Sequence, residues 1–351
     1  TMFKAHVLLL LLILKHSLLC STPSFNNNVV NVNKIIKERI NGCISPETLK
    51  FKGKIEDITI TFQNLPDLNG GAIRDISSKF NITLHDNNIG SIKSEAFFNL
   101  SGLVGVNLYT NKIKLVSTNS LTNLPSLTSI SLSWDNEVTI SPSAFSNLPQ
   151  LAQVMLDFNN LDTFEQDWFD KTPKLRELHM IGNHLRTIPK AAFTNLQSIN
   201  LLNFQGNKIE SIDKDAFMGL RNLNKLILKQ NKLKSFDIDF HTHLKLTYLA
   251  IDYNNITFIP DKVLDTIQSH LLTIHIVGNP WQCGCFHKLI SWGAKNAITT
   301  FSQCPNQELV CVYPKTNPNE CIERSDDDFY SEAWTPFVVD TLCYIMNEPF
   351  L

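Results

Sequence analysis

The chain has 351 residues, 43% of them apolar, with 31 lysines and arginines against 33 aspartates and glutamates. That supplies enough apolar material for a sizeable core, while a net charge of −2 gives no global attraction to nucleic acid or anionic membranes. There is no H-E-x-x-H, no G-x-S-x-G, no phosphate-binding glycine loop and no dinucleotide fingerprint. The sequence therefore points away from an enzyme and calls for no cofactor and no metal.

Residues 1–21 read as a secretory signal. Lys4 and His6 give a short basic start, Val7 to Leu14 is a continuous apolar run, and cleavage is expected near Cys20 or Ser21. The run is too short to span a bilayer of about 30 Å. Thr1 precedes Met2, which reads as the natural start. Residues 22–54 are expected to form an N-terminal cap region. It opens on the polar Asn26-Asn27-Asn28, which predicts mobility at its start, and it holds a single cysteine, Cys43.

From Ile55 a pattern L-x-x-L-x-L-x-x-N-x-L recurs, with new turns at Lys79, Leu103, Leu127, Leu151, Leu175, Ile199, Leu223, Leu246 and Leu271. The first seven spacings are 24 residues and the last two are 23 and 25. In the turn from Leu175, Leu178 and Met180 flank His179, the period-two alternation of a short strand with one buried face. Three residues beyond the last buried strand position each turn carries an amide such as Asn87, Asn111, Asn159, Asn183 or Asn207. Buried amides need partners, so these should bond neighbouring turns as a continuous ladder. Gln63 and Asp135 depart from the pattern. Gln63 belongs to a first, atypical turn, and at Asp135 a one-residue bulge should bring the amide of Asn136 into line. Eighteen places after each turn start stands a large apolar residue, among them Ile73, Phe97, Phe145, Phe169, Phe193 and Phe217, expected to stack as a spine of the outer layer.

Residues 280–322 begin within Asn279-Pro280-Trp281-Gln282-Cys283-Gly284-Cys285, followed by Leu289 and Trp292. Cys283, Cys285, Cys304, Cys311 and Cys321 cluster here, which in a secreted chain reads as disulfides. Residues 323–351 form a tail with Asp326-Asp327-Asp328, Trp334 and Phe337, expected to be mostly solvated.

On these motifs residues 55–321 resemble extracellular leucine-rich repeat proteins of the 24-residue class, such as Toll-type ectodomains, Slit and chaoptin. The resemblance implies an α/β solenoid: a leucine-rich repeat horseshoe with a parallel β-sheet on the concave face and an irregular or short-helical convex side, its repeats spanning 55–279. N-P-W-x-C-x-C resembles the C-terminal cap of such proteins, which joins its first cysteine to the third and its second to the fourth. Here Cys304, Cys311 and Cys321 compete for two places. The family's cysteine-rich N-terminal cap is missing.

Exposed strand residues of neighbouring turns should line up on strands about 4.8 Å apart. Tyr109, Trp134 and Phe158, with Met155 and Ile181 beside them, then form one apolar and aromatic patch, the residue types that dominate interface hot spots. Local packing of Trp134 over the Asp135 irregularity is the competing expectation. Lys208, Lys225, Lys229, Lys232 and Lys234 form a second, basic stretch, read first as solvated lysines. Sequons at Asn81, Asn99 and Asn255 are candidate glycosylation sites, with Asn81 on the concave side.

The functional expectation is a secreted, extracellular module that binds a protein ligand or receptor on its concave face, in signalling, adhesion or innate immunity. No nucleic acid and no membrane span enter this reading. One alternative is a disulfide-linked structural or assembly component, since loss of Cys20 leaves an odd cysteine and a covalent oligomer could form through Cys43 or Cys343. Another is a truncated receptor ectodomain.

Overall fold

In the computed structural model, residues 22–135, 137–240, 245–301, 311–314 and 316–324 are described. The chain divides into two compact units, residues 1–161 with 165–179, and residues 162–164 with 180–351. Both are built from the coil that the repeat dictates: a short parallel strand, a tight turn and an outer return.

The first unit opens with an antiparallel hairpin, β1 (Phe25–Val32) and β2 (Ile36–Gly42). Its three-residue loop of Asn33, Lys34 and Ile35 places Asn33 and Lys34 at φ 52° and 60°, and the Ile35 N–H closes the turn on the Val32 carbonyl at 3.1 Å. β1 also pairs antiparallel with β3 (Asp57–Thr59). The mobility expected of Asn26-Asn27-Asn28 is thus corrected. Phe25, Val30 and Val32 are buried in the core, and buried Asn28 donates its amide to the Asn64 carbonyl. Gln63 serves this cap too. Its side chain accepts from the Val29 N–H and donates to the Val29 carbonyl, both at 2.7 Å.

β4 (Phe80–Thr83), β5 (Leu103–Asn107), β6 (Ser129–Ser131), β7 (Gln153–Met155) and β8 (Glu177–His179) follow in parallel. Their central residues Ile58, Ile82, Val106, Ile130, Val154 and Leu178 pair in register and point into the core. Two-residue strands such as Leu115–Val116 and a 3-10 turn at Gln166–Phe169 make the outer layer. The spine stacks as expected, with Phe145 and Phe169 at 5.5 Å between ring centroids.

The second unit holds β9 (Leu201–Asn203), β10 (Lys225–Ile227), β11 (Tyr248–Ala250), β12 (Thr273–His275) and β13 (Thr299–Phe301), again parallel and in register. Phe193, Phe217 and Phe240 continue a stack at 5.8 and 6.2 Å. A short helix α1 (Asp261–Ile267) replaces an outer return. Helix α2 (Cys283–Lys295) covers the last turn, burying Phe286 and Leu289. Buried Trp281 donates to the Ile276 carbonyl at 2.8 Å.

The cap disulfides are Cys283–Cys311 and Cys285–Cys321, so Cys311 and Cys321 take the two contested places. Cys43 is disulfide-bonded, which corrects its expected role as an unpaired thiol and removes that route to a covalent oligomer. Cys20, Cys304 and Cys343 lie outside the described residues, as do the signal segment and the acidic and aromatic part of the tail. Among the described residues no helix is long and apolar enough to cross a membrane.

Candidate functional site

The amide ladder decides where side chains on the strand face point. Asn111 donates to the carbonyls of Leu84 and Leu108 at 2.9 and 2.6 Å, one in the preceding turn and one in its own. Asn207, Asn231 and Asn254 repeat the arrangement in the second unit. Asp135 holds its own place in this ladder, so the expected bulge toward Asn136 is corrected; Asn136 itself lies outside the described residues. One carboxylate oxygen of Asp135 accepts from the N–H groups of Asn111 and Ile113 at 2.9 and 3.3 Å, and its own N–H donates to Asn159 at 3.0 Å. The other oxygen is buried without a hydrogen-bond partner. An ionised carboxylate has no hydrogen for the carbonyls that the equivalent amide reaches. Burial accordingly raises the pKa of Asp135 to about 7, with the two backbone donors pulling it back only in part.

The residue just before the ladder position is left-handed in every turn whose backbone can be compared. In the first unit these are Phe62, Asp86, Thr110, Trp134 and Phe158, with φ between 53° and 70°. In the second they are Gly182, Gly206, Gln230, Tyr253 and Gly278, with φ between 52° and 69°. The ladder causes this. To turn the next side chain inward and aim its own N–H at the following turn, the backbone must reverse its twist here. Trp134, for instance, donates its N–H to the Asp157 carbonyl at 2.9 Å. Three turns use glycine, the residue for which this conformation carries least strain. A bulky side chain costs about 1–2 kcal/mol there.

Of the predicted patch, the structure brings Trp134 and Phe158 together, stacked at 4.0 Å between centroids and 19° between planes. Trp134 remains 53% exposed, so it packs on its neighbour in the next turn and keeps a face open to solvent. Tyr109 is half-buried and stacks instead on His85 at 4.5 Å and 8°. Phe62, 78% exposed, meets His85 edge-on at 6.1 Å. Met155 is half-buried at the end of β7. Ile181, also half-buried, belongs to the second unit.

Phe62 and His85 were missed in the sequence. Their signal was available: each occupies one of the two positions before the ladder residue, as Tyr109, Trp134 and Phe158 do. Five successive turns thus present one ring each along the same edge of the strand face. His85 is also held by Asp86, 2.6 Å from its ring nitrogen Nδ1. In the second unit the matching aromatic packs locally. The ring of Tyr253 lies over Gly278, where an added Cβ would come within 2.4 Å of it.

The five lysines of the basic stretch do not share one face. Lys225 lies in β10, whereas Lys208, Lys232 and Lys234 follow the ladder residue. All three sequon asparagines are exposed. Asn81 is in β4 on the strand face, and Gly105 beside it leaves room for its side chain, since an added Cβ would stand 2.7 Å from the Asn81 amide oxygen.

Residues 75–200 match the BspA type leucine rich repeat region, and residues 173–233 match the leucine rich repeat. A 73-residue segment is 33% identical to phospholipase A2 inhibitor beta of Elaphe climacophora, covering 20% of each chain. Among solved structures, human 5T4 (trophoblast glycoprotein) superposes with a TM-score of 0.53 at 20% identity, over 74% of this chain and 89% of that one. The Toll chain of the Drosophila Toll–Spatzle complex gives 0.61 at 18% identity, over 74% of this chain but 36% of its own. Mouse RP105, solved as the RP105/MD-1 complex, gives 0.54 at 22% identity, over 76% and 50%. The chain thus spans a fifth of the inhibitor it matches, about a third of Toll and half of RP105. With the register of its strands, its asparagine ladder and its disulfide-bonded end cap, the chain is a leucine-rich repeat protein with a cysteine-rich C-terminal cap.

Proposed function

We propose that this chain is a secreted, extracellular binding module that recognises a protein ligand on the strand face of its first unit and acts by binding rather than catalysis. The observation that carries this reading is the Trp134–Phe158 stack, with Trp134 exposed and Phe158 half-buried, held on left-handed backbone where other turns use glycine. Strain kept at a surface position asks for a function, because packing alone would be met more cheaply elsewhere. Tyr109 and Met155 extend the same face.

The disulfides favour an oxidising compartment. In that compartment the exposed Asn81, Asn99 and Asn255 are open to glycosylation. A protein ligand agrees with the relatives: Toll was solved with Spatzle and RP105 with MD-1, and the curated relative is named for inhibiting phospholipase A2.

The test is capture of partners from extracellular fluid by the wild type and by a Tyr109→Ala, Trp134→Ala, Phe158→Ala variant, with bound proteins identified by mass spectrometry. Proteins retained by the wild type and lost by the variant support the reading. Equal capture by a variant with native amide-exchange protection overturns it.

A further inference from the structure

We infer that the first unit's strand face recognises a cationic segment of its protein partner, with lysine or arginine side chains laid along the row of rings. This rests on the reading of that face as a protein-binding site and names the chemistry of the occupant.

Two observations combine. The first is the row itself: Phe62, His85, Tyr109, Trp134 and Phe158 in five successive turns, with two stacked pairs and one edge-on contact among them. Ring faces left open to solvent attract cations through the quadrupole of the π-system, and tryptophan does so best. Trp134 has the exposed area to do it.

The second is the charge beside the rings. The outward strand and turn positions of the first unit, from Asp57 to His179, carry Asp57, Asp86, Asp157 and Glu177, and not one lysine or arginine. Asp86 adjoins the His85–Tyr109 stack, and Asp157 immediately precedes Phe158. The neighbours known for Asp57, Asp86 and Glu177 are hydroxyl, amide and imidazole groups, His85 Nδ1 standing 2.6 Å from Asp86 and His179 Nε2 3.9 Å from Glu177. Thr59 donates to Asp57 at 2.8 Å and Gln153 to Glu177 at 2.9 Å. The overall net charge of −2 does not account for this, since the same positions of the second unit carry Lys225 and Lys229. The acidic, aromatic character belongs to one face of one unit. A guanidinium or ammonium seated over Trp134 would lie beside the turn that carries Asp157, whose carbonyl accepts from the Trp134 N–H at 2.9 Å. Long side chains whose stems lie on the rings and whose heads reach carboxylates fit such a strip.

The experiment uses the full chain and two short synthetic peptides with glycine and serine spacers. One bears alternating lysine and arginine, and the other bears glutamine at those places. Binding is followed by calorimetry and by tryptophan fluorescence. The basic peptide should bind and the glutamine peptide should not, with affinity falling several-fold from low to physiological salt. Asp86→Asn with Asp157→Asn should weaken the basic peptide roughly tenfold while leaving amide exchange unchanged. Glu177→Gln serves as a second, independent neutralisation expected to act in the same direction.

Equal binding of the two peptides, or basic-peptide affinity indifferent to all these neutralisations, overturns the inference. A protein partner lost on the triple alanine variant but unmoved by the neutralisations overturns cationic recognition and leaves the aromatic face standing. Basic-peptide binding that survives the triple alanine variant removes the rings from recognition altogether and overturns the inference.

Discussion

Asp135 offers the most direct test of the ladder. Its carboxyl is buried at 4% exposure, in a row where every neighbouring group is an amide. Burial raises its pKa from 3.8 to about 7. The folded chain therefore keeps a proton that the unfolded chain has already lost between about pH 4 and pH 7. Stability from this site is complete below pH 4, falls as pH rises through that window and is gone above it. Roughly three pH units at about 1.4 kcal/mol each give on the order of 4 kcal/mol. Asp135→Asn restores a group that donates at every pH. The variant should match the wild type near pH 4 and exceed it by on the order of 4 kcal/mol near pH 8. Urea unfolding of both proteins across this range reports it, because other titrating groups cancel in the difference. Amide exchange in residues 103–160 localises the effect, which repeat arrays of limited cooperativity require. A difference that stays flat with pH, or a wild type that gains on the variant as pH rises, would refute the argument.

Three further expectations follow from packing. Gly102→Ala should cost about 1–3 kcal/mol, because the new Cβ would stand 1.8 Å from the Ser78 carbonyl oxygen; an unchanged melting temperature would count against it. Removing Cys285–Cys321 by double serine substitution should cost about 2–4 kcal/mol and fray residues 246–301 ahead of residues 55–126 in hydrogen exchange; uniform loss would show that the cap does not clamp that end. Asn81→Gln, in protein from a glycosylating host, should tighten partner binding by clearing a glycan from the strand face, and unchanged affinity would place the partner elsewhere.

The repeat was legible because it is written in hydrophobic spacing, and a parallel ladder of in-register strands is the one arrangement that buries Ile82, Val106 and Ile130 side by side. The N-terminal hairpin was less so. Three consecutive asparagines looked like solvated chain, yet Val30 and Val32 already carried the alternation of a strand and Asn33-Lys34 the turn, while Phe25 joins their face only through the bulge between Asn26 and Asn28. At Asp135 the letters suggested a shift of register by one residue. The backbone keeps Asp135 in the ladder instead, with Ile130 held in register between Val106 and Val154 and Leu132 buried three residues before it. The aromatic row was half visible. Spacing alone placed Trp134 beside Phe158, but that His85 would join Tyr109 to Phe62 depends on ring orientations that no periodicity records.

The left-handed position before each ladder residue turns this site into a stability experiment of its own. At most surface positions alanine is the more stable choice and glycine the less, by roughly 0.5–1 kcal/mol. At Trp134, with φ 70°, that order should invert. Both Trp134→Ala and Trp134→Gly lose the stack on Phe158, worth about 0.5–1.5 kcal/mol beyond simple burial. Only glycine also relieves a backbone strain of about 1–2 kcal/mol. The glycine variant should therefore be the more stable of the two and lie within about 1 kcal/mol of the wild type. Both variants should lose the partner alike, since the ring is gone from each. Denaturant midpoints and partner affinity measured on the same pair separate fold from function. An alanine variant as stable as the glycine variant would mean that the backbone at Trp134 is not strained, and the case for this ring as a retained functional feature would then fall with it.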